Sequence, residues 1–408
     1  MMIQKISLHH FRNYEQQDIL VKPGVNVFYG DNAQGKTNIL EAIYLCACAR
    51  SHRTARDADL IYHPADHYRV KIDFFNRDQF EESIEIVYFE TVPGDPQRTK
   101  AIRQVYHDGI KLEKVSDLMG LFHAVIFAPE DLMLVKEGPA TRRRYLDLLI
   151  SQIRPTYFVR LQQYAKFLAQ RNKLLKDLRD SGRVRQQPLN EQENLQLDVW
   201  NQSLAQQAAG LIEQRLIYTA QIAEYAAKAQ NKISSGKEQL YVRYKTINGI
   251  KKEMKQDEIY EFYYQKLKSM ICEDIEKGST SIGPHRDDLE LSLDGDGMKA
   301  FASQGQQRSA VLAMKLAELA ILRQETGETP VLLLDDVMSE LDENRRSSLL
   351  ENIHDAQVFV TCTDAQQVFR EISQEQQKDP LSAGKENYFT YFQVSQGSVV
   401  QDSRTDSQ

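Results

Sequence analysis

Residues Gly30-Asp31-Asn32-Ala33-Gln34-Gly35-Lys36-Thr37 fit the pattern G-x-x-x-x-G-K-[ST]. Their types suit one task, holding a polyphosphate. Gly30 and Gly35 let the backbone bend so that its N–H groups face an anion. Lys36 reaches the β- and γ-phosphates and the Thr37 hydroxyl ligates Mg²⁺. Asn38 opens a helix whose positive dipole end points at the same anion. A second group lies some three hundred residues on, where Val331-Leu332-Leu333-Leu334-Asp335-Asp336 ends in two carboxylates. Asp335 is the candidate for holding Mg²⁺ through water, and Asp336 for the general base that polarises an attacking water. Lys36 and Asp336 are therefore the candidate catalytic groups, and the ligand expected is a nucleoside triphosphate.

The elements that must position these residues are legible around them. Val25-Asn26-Val27-Phe28-Tyr29 has the composition of a buried strand, and Asn38 to Leu45 has apolar residues at helical spacing. Four bulky aliphatics without alternation, Val331 to Leu334, predict a central parallel strand covered on both faces. Its acidic end then emerges at the carboxyl edge of the sheet, where such sheets bind ligands.

Ser303-Gln304-Gly305-Gln306-Gln307-Arg308 is a polar, glycine-bearing turn that opens a long Ala/Leu-rich helix. Ser303 is a plausible N-cap, and a second helix N-terminus is a second anion site. In this order along the chain, the turn resembles the signature motif of ABC-type ATPases, and Ser339-Glu340-Leu341-Asp342 resembles their D-loop. That resemblance implies a homodimer sandwiching ATP and Mg²⁺. Ser303, Gly305 and Gln306 of one protomer would close over the γ-phosphate held by the other.

A narrower resemblance rests on longer segments. Pro129-Glu130-Asp131-Leu132 through Gly138-Pro139, with Arg142-Arg143-Arg144-Tyr145-Leu146-Asp147, is similar to the first hallmark segment of the RecF family, bacterial DNA replication and repair ATPases. Leu333 through Asp342 resembles the second, and Gly283-Pro284-His285-Arg286-Asp287-Asp288-Leu289 and His10-Phe11-Arg12-Asn13-Tyr14 also match. The likeness runs from about Ile3 to Thr363. It implies an α/β fold, an ABC-type P-loop head with a mixed β-sheet plus a helical insertion. It also implies a slow, DNA-stimulated ATPase on duplex DNA and single-strand/duplex junctions, working with RecO and RecR to load RecA. Two positions depart from the ABC pattern. Thr363-Asp364 stands where the switch His is expected, and Asp336 stands where Glu is usual, one methylene shorter.

The formal net charge is −7, but Arg142 to Arg185 holds twelve basic residues against three acidic ones. Such asymmetry is the footprint of a polyanion-binding face. Arg171, Lys173 and Arg179 read as exposed members of it. No apolar run approaches the ~18–20 residues needed to cross a bilayer. No export signal is evident at Met1, and Cys46, Cys48, Cys272 and Cys362 read as thiols of a reducing cytosol, so a cytoplasmic location is expected. Neither the four cysteines nor the nine histidines show metal-ligand spacing.

The expected organisation is an amino-terminal half of the head over 1–137, a helical insertion over 138–236, a second half over 237–395 and a flexible tail over 396–408. Thr91 to Arg98 and Gln186 to Pro188 read as loops, and Asp257 to about Ile275 as one helix. The rival readings are an ABC-type subunit coupled to another machine, such as a transporter, and a module that binds ATP without productive hydrolysis.

Overall fold

The computed structural model describes residues 1–90, 101–181, 189–338, 341–350, 356–365 and 389–402, with the backbone alone at 343 and 344. The loops read at Thr91 to Arg98 and Gln186 to Pro188, and Ser339 and Glu340 of the D-loop, lie outside these residues. In chain order the strands are β1 (Met2–Phe11), β2 (Tyr14–Leu20), β3 (Val25–Tyr29), β4 (His67–Phe75), β5 (Glu81–Phe89), β6 (Ile102–His107), β7 (Ile110–Lys111) and β8 (Ala124–Phe127). Then follow β9 (Leu240–Lys245), β10 (Asp288–Leu293), β11 (Asp296–Gly297), β12 (Val331–Asp335), β13 (Val358–Cys362), β14 (Phe389–Ser395) and β15 (Ser398–Gln401).

The chain divides into two units. The first gathers Met1–Met133, Tyr225–Gln239 and Ser303–Gln408, and the second gathers Leu134–Glu224 and Leu240–Ala302. This corrects the expected boundaries, because residues 240–302 belong with the helical unit and not with the head. The flexible tail is corrected too. Ser398–Gln401 is a strand paired with β14, its alternate residue Val399 buried, and only 403–408 fall outside the description.

The first unit holds two sheets. One has the order β15-β14-β3-β13-β12-β8, parallel except for the β14–β15 hairpin. Every residue of β12 and β13 is buried, as a parallel strand covered on both faces requires. The other sheet, β2-β1-β4-β5-β6-β7, is antiparallel, and β4 alternates buried and part-exposed residues along its middle. Asp108-Gly109 makes the expected two-residue turn from β6 to β7, with both residues at positive φ, 51° and 74°. The helix Lys36–Cys48 packs against β8, β12 and β13 of one sheet and β4 and β5 of the other. Ile39, Leu40, Ile43 and Leu45 are fully buried, so this helix is covered on all sides and forms core rather than surface. Truncating one of these to Ala costs about 2–5 kcal/mol. The phosphate-binding loop is thereby fixed to a buried element of the unit's core.

The second unit is built on the helices Pro139–Ile153, Pro155–Asp180 and Glu191–Ile233. Pro155 starts the second of these at its first position and ends the first at Arg154. The 43-residue helix runs unbroken through Gly210, about 65 Å at ~1.5 Å per residue. Its last turns, from Tyr225, are counted with the first unit. The second unit also carries a sheet, β11-β10-β9, which the expected all-helical insertion lacks. The single helix expected over Asp257 to Ile275 is two, Gln256–Ser269 and Ile271–Lys277, broken at Met270.

Two buried arginines staple this unit. Arg171 is fully buried and donates to Asp274 (2.8 Å), Asn201 (2.8 Å) and Thr280 (2.7 Å). Arg215 donates to Asp147 (2.8 Å), the Tyr157 hydroxyl (2.9 Å) and the Pro284 carbonyl (2.7 Å). Arg142 pairs with Asp288 through two bonds of 2.8 and 2.9 Å, and Arg143 donates to the Asp287 carbonyl at 2.7 Å. The segments Arg142–Asp147 and Gly283–Leu289 thus hold each other in place. Arg171 is not an exposed charge, a correction whose cause is its buried ion pair.

Candidate nucleotide site

The loop from Gly30 to Gly35 takes its shape from backbone that only glycine tolerates. Gly30 has φ 149°, and a Cβ there would sit 2.3 Å from the Val394 carbonyl oxygen of β14. Gly35 has φ 114°, and a Cβ would meet the Asn13 side chain at 2.5 Å and the Tyr14 hydroxyl at 2.8 Å. Asn13 and Tyr14, at the β1–β2 turn, support the loop from below. Asn13 donates to the Gln34 carbonyl and Tyr14 to the Gly35 carbonyl, at 2.8 and 3.0 Å, and Asn38 donates to Asn13 at 2.8 Å. From the other side, Gln34 accepts from the backbone N–H of Gln396, at 2.7 Å. Asp31, Asn32 and Ala33 are exposed at the tip.

Lys36 is buried and donates to the carbonyls of Gly30 and Asp31, at 2.7 and 2.8 Å. Burial lowers its pKa, and Asp336, Cys362 and Asp335 oppose that. An ammonium held in this way is stabilised by an incoming anion. Thr37 donates to Asp335 at 2.8 Å, and Thr361 of β13 donates to the same oxygen at 2.7 Å. Burial raises the Asp335 pKa, while the bonds from Thr361 and Thr37 pull it down. Asp336 is exposed beyond the strand end, at φ 52°, with its N–H donated to the Thr361 hydroxyl at 2.9 Å. The expected cluster of Lys36, Thr37, Asp335 and Asp336 is therefore assembled at the carboxyl edge of β12.

Sequence reasoning missed Thr361, His52 and Glu130. One ligand-capable atom from each of His52, Glu130 and Asp335 lies within 4.8 Å of the other two. With the Thr37 hydroxyl, the two carboxylates give the oxygen-rich set that Mg²⁺ prefers, so the residues present fit that ion. Glu130 follows β8, the strand beside β12, but nothing in its local sequence announces that neighbour. Arg12 was also read only as part of a motif. It clamps buried Glu41, on the helix after the loop, with two bonds of 2.8 Å. Burial alone would raise Glu41, yet Arg12 and Ser51 hold it below the ordinary carboxylate range.

The Ser303 turn is built as expected. Ser303 caps the helix Gln304–Thr326, with Gln306 returning the bond in a capping box. Arg345 donates to the Gly305 carbonyl at 2.8 Å and to Ser309 at 2.9 Å. Among the described residues, no hydrogen bond of Ser303, Gly305 or Gln306 goes to Gly30–Asn38. Ser303 is exposed.

The family model described as the RecF/RecN/SMC N terminal domain matches residues 2–377. The DNA replication and repair protein RecF of Ruminiclostridium cellulolyticum is 39% identical over 364 residues, covering 89% of this chain and 93% of that protein. The chain belongs to the RecF family. The RecF of Clostridium beijerinckii is 41% identical over 363 residues, covering 89% and 92%. Among solved structures, the recombination mediator protein RecF with ATP, of the RecFOR pathway, superposes with a TM-score of 0.83 at 34% identity, over 98% of both chains. The Smc head domain of Pyrococcus furiosus, with an extended coiled coil, has a TM-score of 0.52 at 16% identity and covers 98% of this RecF-family chain and 96% of its own. That likeness is one of fold, and it bears out the ABC-type head. Among the described residues no helix is long and apolar enough to cross a membrane.

Proposed function

We propose that this RecF-family chain is an ATP-dependent DNA-binding protein of recombinational repair and replication restart, acting in the cytoplasm. ATP binding drives two copies together on duplex or gapped DNA, where the dimer helps RecO and RecR load RecA, and slow hydrolysis reopens it. The observation that carries this reading is the convergence of Lys36, Thr37, Asp335 and Asp336 on one sheet edge, in a chain this close to RecF. Lys36 binds the β- and γ-phosphates, and the N–H groups of the Gly30–Gly35 loop line the polyphosphate. Bound Mg²⁺, held by Thr37 and Asp335, would supply charge neutralisation at those phosphates. Asp336 accepts the proton of the attacking water. Ser303, Gly305 and Gln306 of a second copy complete each site, which is in keeping with an exposed, pre-capped helix end that, among the described residues, makes no hydrogen bond to its own loop.

The test is DNA binding with ATP, with ADP and without nucleotide, on duplex, gapped and single-stranded DNA, read beside sedimentation for oligomeric state. Lys36→Ala should lose nucleotide binding, dimerisation and ATP-dependent DNA binding together. A Lys36→Ala protein that still dimerised at the ATP concentration sufficient for wild type would overturn the loop assignment.

A further inference from the structure

Away from the nucleotide loop, three histidines meet at the end of the β1–β4 pair. His9 lies on β1 opposite Arg69, His10 follows it, and His67 begins β4. One ligand-capable nitrogen of each lies within 4.8 Å of those of the other two. The ring centroids of His9 and His10 are 4.3 Å apart, and those of His10 and His67 are 4.8 Å apart. Neighbours on a regular strand point to opposite faces. His10 breaks that rule with φ 50°, a left-handed conformation that costs a non-glycine residue free energy. The result is two consecutive imidazoles side by side. Chain spacing gave no sign of this grouping, so the sequence-based absence of a histidine cluster is corrected here.

The surroundings are arranged for ligation. Nδ1 of His10 is buried and has no hydrogen-bond partner. Nδ1 of His67 is 2.8 Å from the Asp66 carboxylate, the kind of partner that orients a metal-ligating imidazole. Arg69, opposite His9 in the strand pair, is neutralised by two bonds to Glu85, at 2.6 and 3.0 Å.

We propose that His9, His10 and His67 form a transition-metal site for zinc or a similar first-row ion, with Asp66 orienting His67. All-imidazole ligands suit zinc, copper and nickel, whereas Mg²⁺ prefers oxygen, so this site is distinct from the nucleotide site. Zinc–nitrogen bonds of ~2.0–2.1 Å put tetrahedral ligand atoms about 3.3 Å apart. All three rings are only part-buried, so side-chain rotation can close the remaining gap. A metal here would pin His10, whose carbonyl accepts from Tyr62 at 2.8 Å. It would also fix the turn whose Arg12, Asn13 and Tyr14 support the phosphate loop.

The experiment is titration of the metal-free full chain with Zn²⁺ and with Co²⁺, in excess Mg²⁺ to cover the carboxylates of the nucleotide site. One ion per chain and an intense tetrahedral Co²⁺ spectrum without thiolate charge transfer are expected. His67→Ala should abolish that spectrum. Asp66→Asn, which keeps all three ligands, should weaken binding about 10–100-fold. Absence of saturable binding, or an undiminished spectrum in a folded His9→Asn/His67→Ala protein, would overturn the proposal and leave the three rings as a stacked aromatic cluster. Both results are independent of nucleotide binding, so failure here leaves the ATPase reading standing.

Discussion

Thr37 donates a hydrogen bond to Asp335 at 2.8 Å, across 298 residues of sequence. The same carboxylate oxygen accepts from Thr361 at 2.7 Å, so the first acid of the pair is committed to holding the loop helix, β12 and β13 together. The second acid, Asp336, is exposed at the strand end, and its backbone N–H donates to the Thr361 hydroxyl at 2.9 Å. Asp336→Asn should therefore leave ATP binding and dimer formation intact while phosphate release falls by about 10²–10⁴-fold. Single-turnover phosphate release beside sedimentation checks this. Unchanged release would mean that another group activates the water.

Ser303→Arg separates the two halves of the composite site. The serine caps its own helix, so its loss costs about 1 kcal/mol locally. Monomeric ATP binding, read by equilibrium dialysis, should survive. The ATP-dependent dimer should vanish, since an arginine would project where a second copy closes. A normal dimer would defeat the sandwich arrangement.

The basic helix needs two different substitutions to be understood. Arg171→Ala leaves Asp274 buried and unpaired, at a cost of about 3–5 kcal/mol, and should be read by thermal melting rather than by DNA binding. Lys166, Lys173 and Lys176 are exposed on Pro155–Asp180 at helical spacing. Reversing these three to Glu should spare folding and ATP binding. It should weaken DNA binding on every sequence and flatten the salt dependence by about 0.9 unit for each duplex phosphate the protein no longer neutralises. An unmoved salt slope would send the DNA elsewhere, with the surface around Arg53, Arg56, Arg69 and Lys71 next in line.

His285 gives the second unit a pH dependence of defined sign. Burial, with Arg286 and Arg143 adding to it, lowers its pKa from 6.5 to about 4. The neutral ring fits its bonds, accepting from Tyr164 at 2.6 Å and donating to the Thr280 carbonyl at 3.2 Å. The unfolded chain takes up a proton near pH 6.5 and the folded chain does not. Stability is therefore full above 6.5 and falls as pH drops towards 4, by at most on the order of 3 kcal/mol. Trp200, the single tryptophan, lies in this unit and reports its urea transition. His285→Gln should flatten the pH dependence between those limits, and an identical slope in the variant would remove the explanation.

What could be read in advance divides along a physical line. The phosphate loop and β12 were legible because their signals are local: two glycines around a short loop, and four aliphatics in a row. Arg171 and Arg215 were not, because a guanidinium is buried only by virtue of partners such as Asp274, 103 residues away, and Asp147, 68 away. Strand β2 escaped notice as a short polar run, Tyr-Glu-Gln-Gln-Asp-Ile-Leu, at a sheet edge. Strands β14 and β15 were hidden by position, in a stretch read as the last of the head and a loose tail. The histidine cluster was invisible because strand alternation argues against it, and only the local backbone of His10 reverses that argument.

Strand β3, which leads into the phosphate loop, lies between β13 and β14. Both of its neighbours are made by the ribosome more than three hundred residues after it. At ~5–20 residues per second, that is a wait of roughly 20–70 s during which the nascent loop strand has neither flank. The Val394 carbonyl that crowds Gly30 arrives with the last of them. The strand that carries the phosphate loop thus gains its two sheet neighbours only when segments far downstream of it have been made.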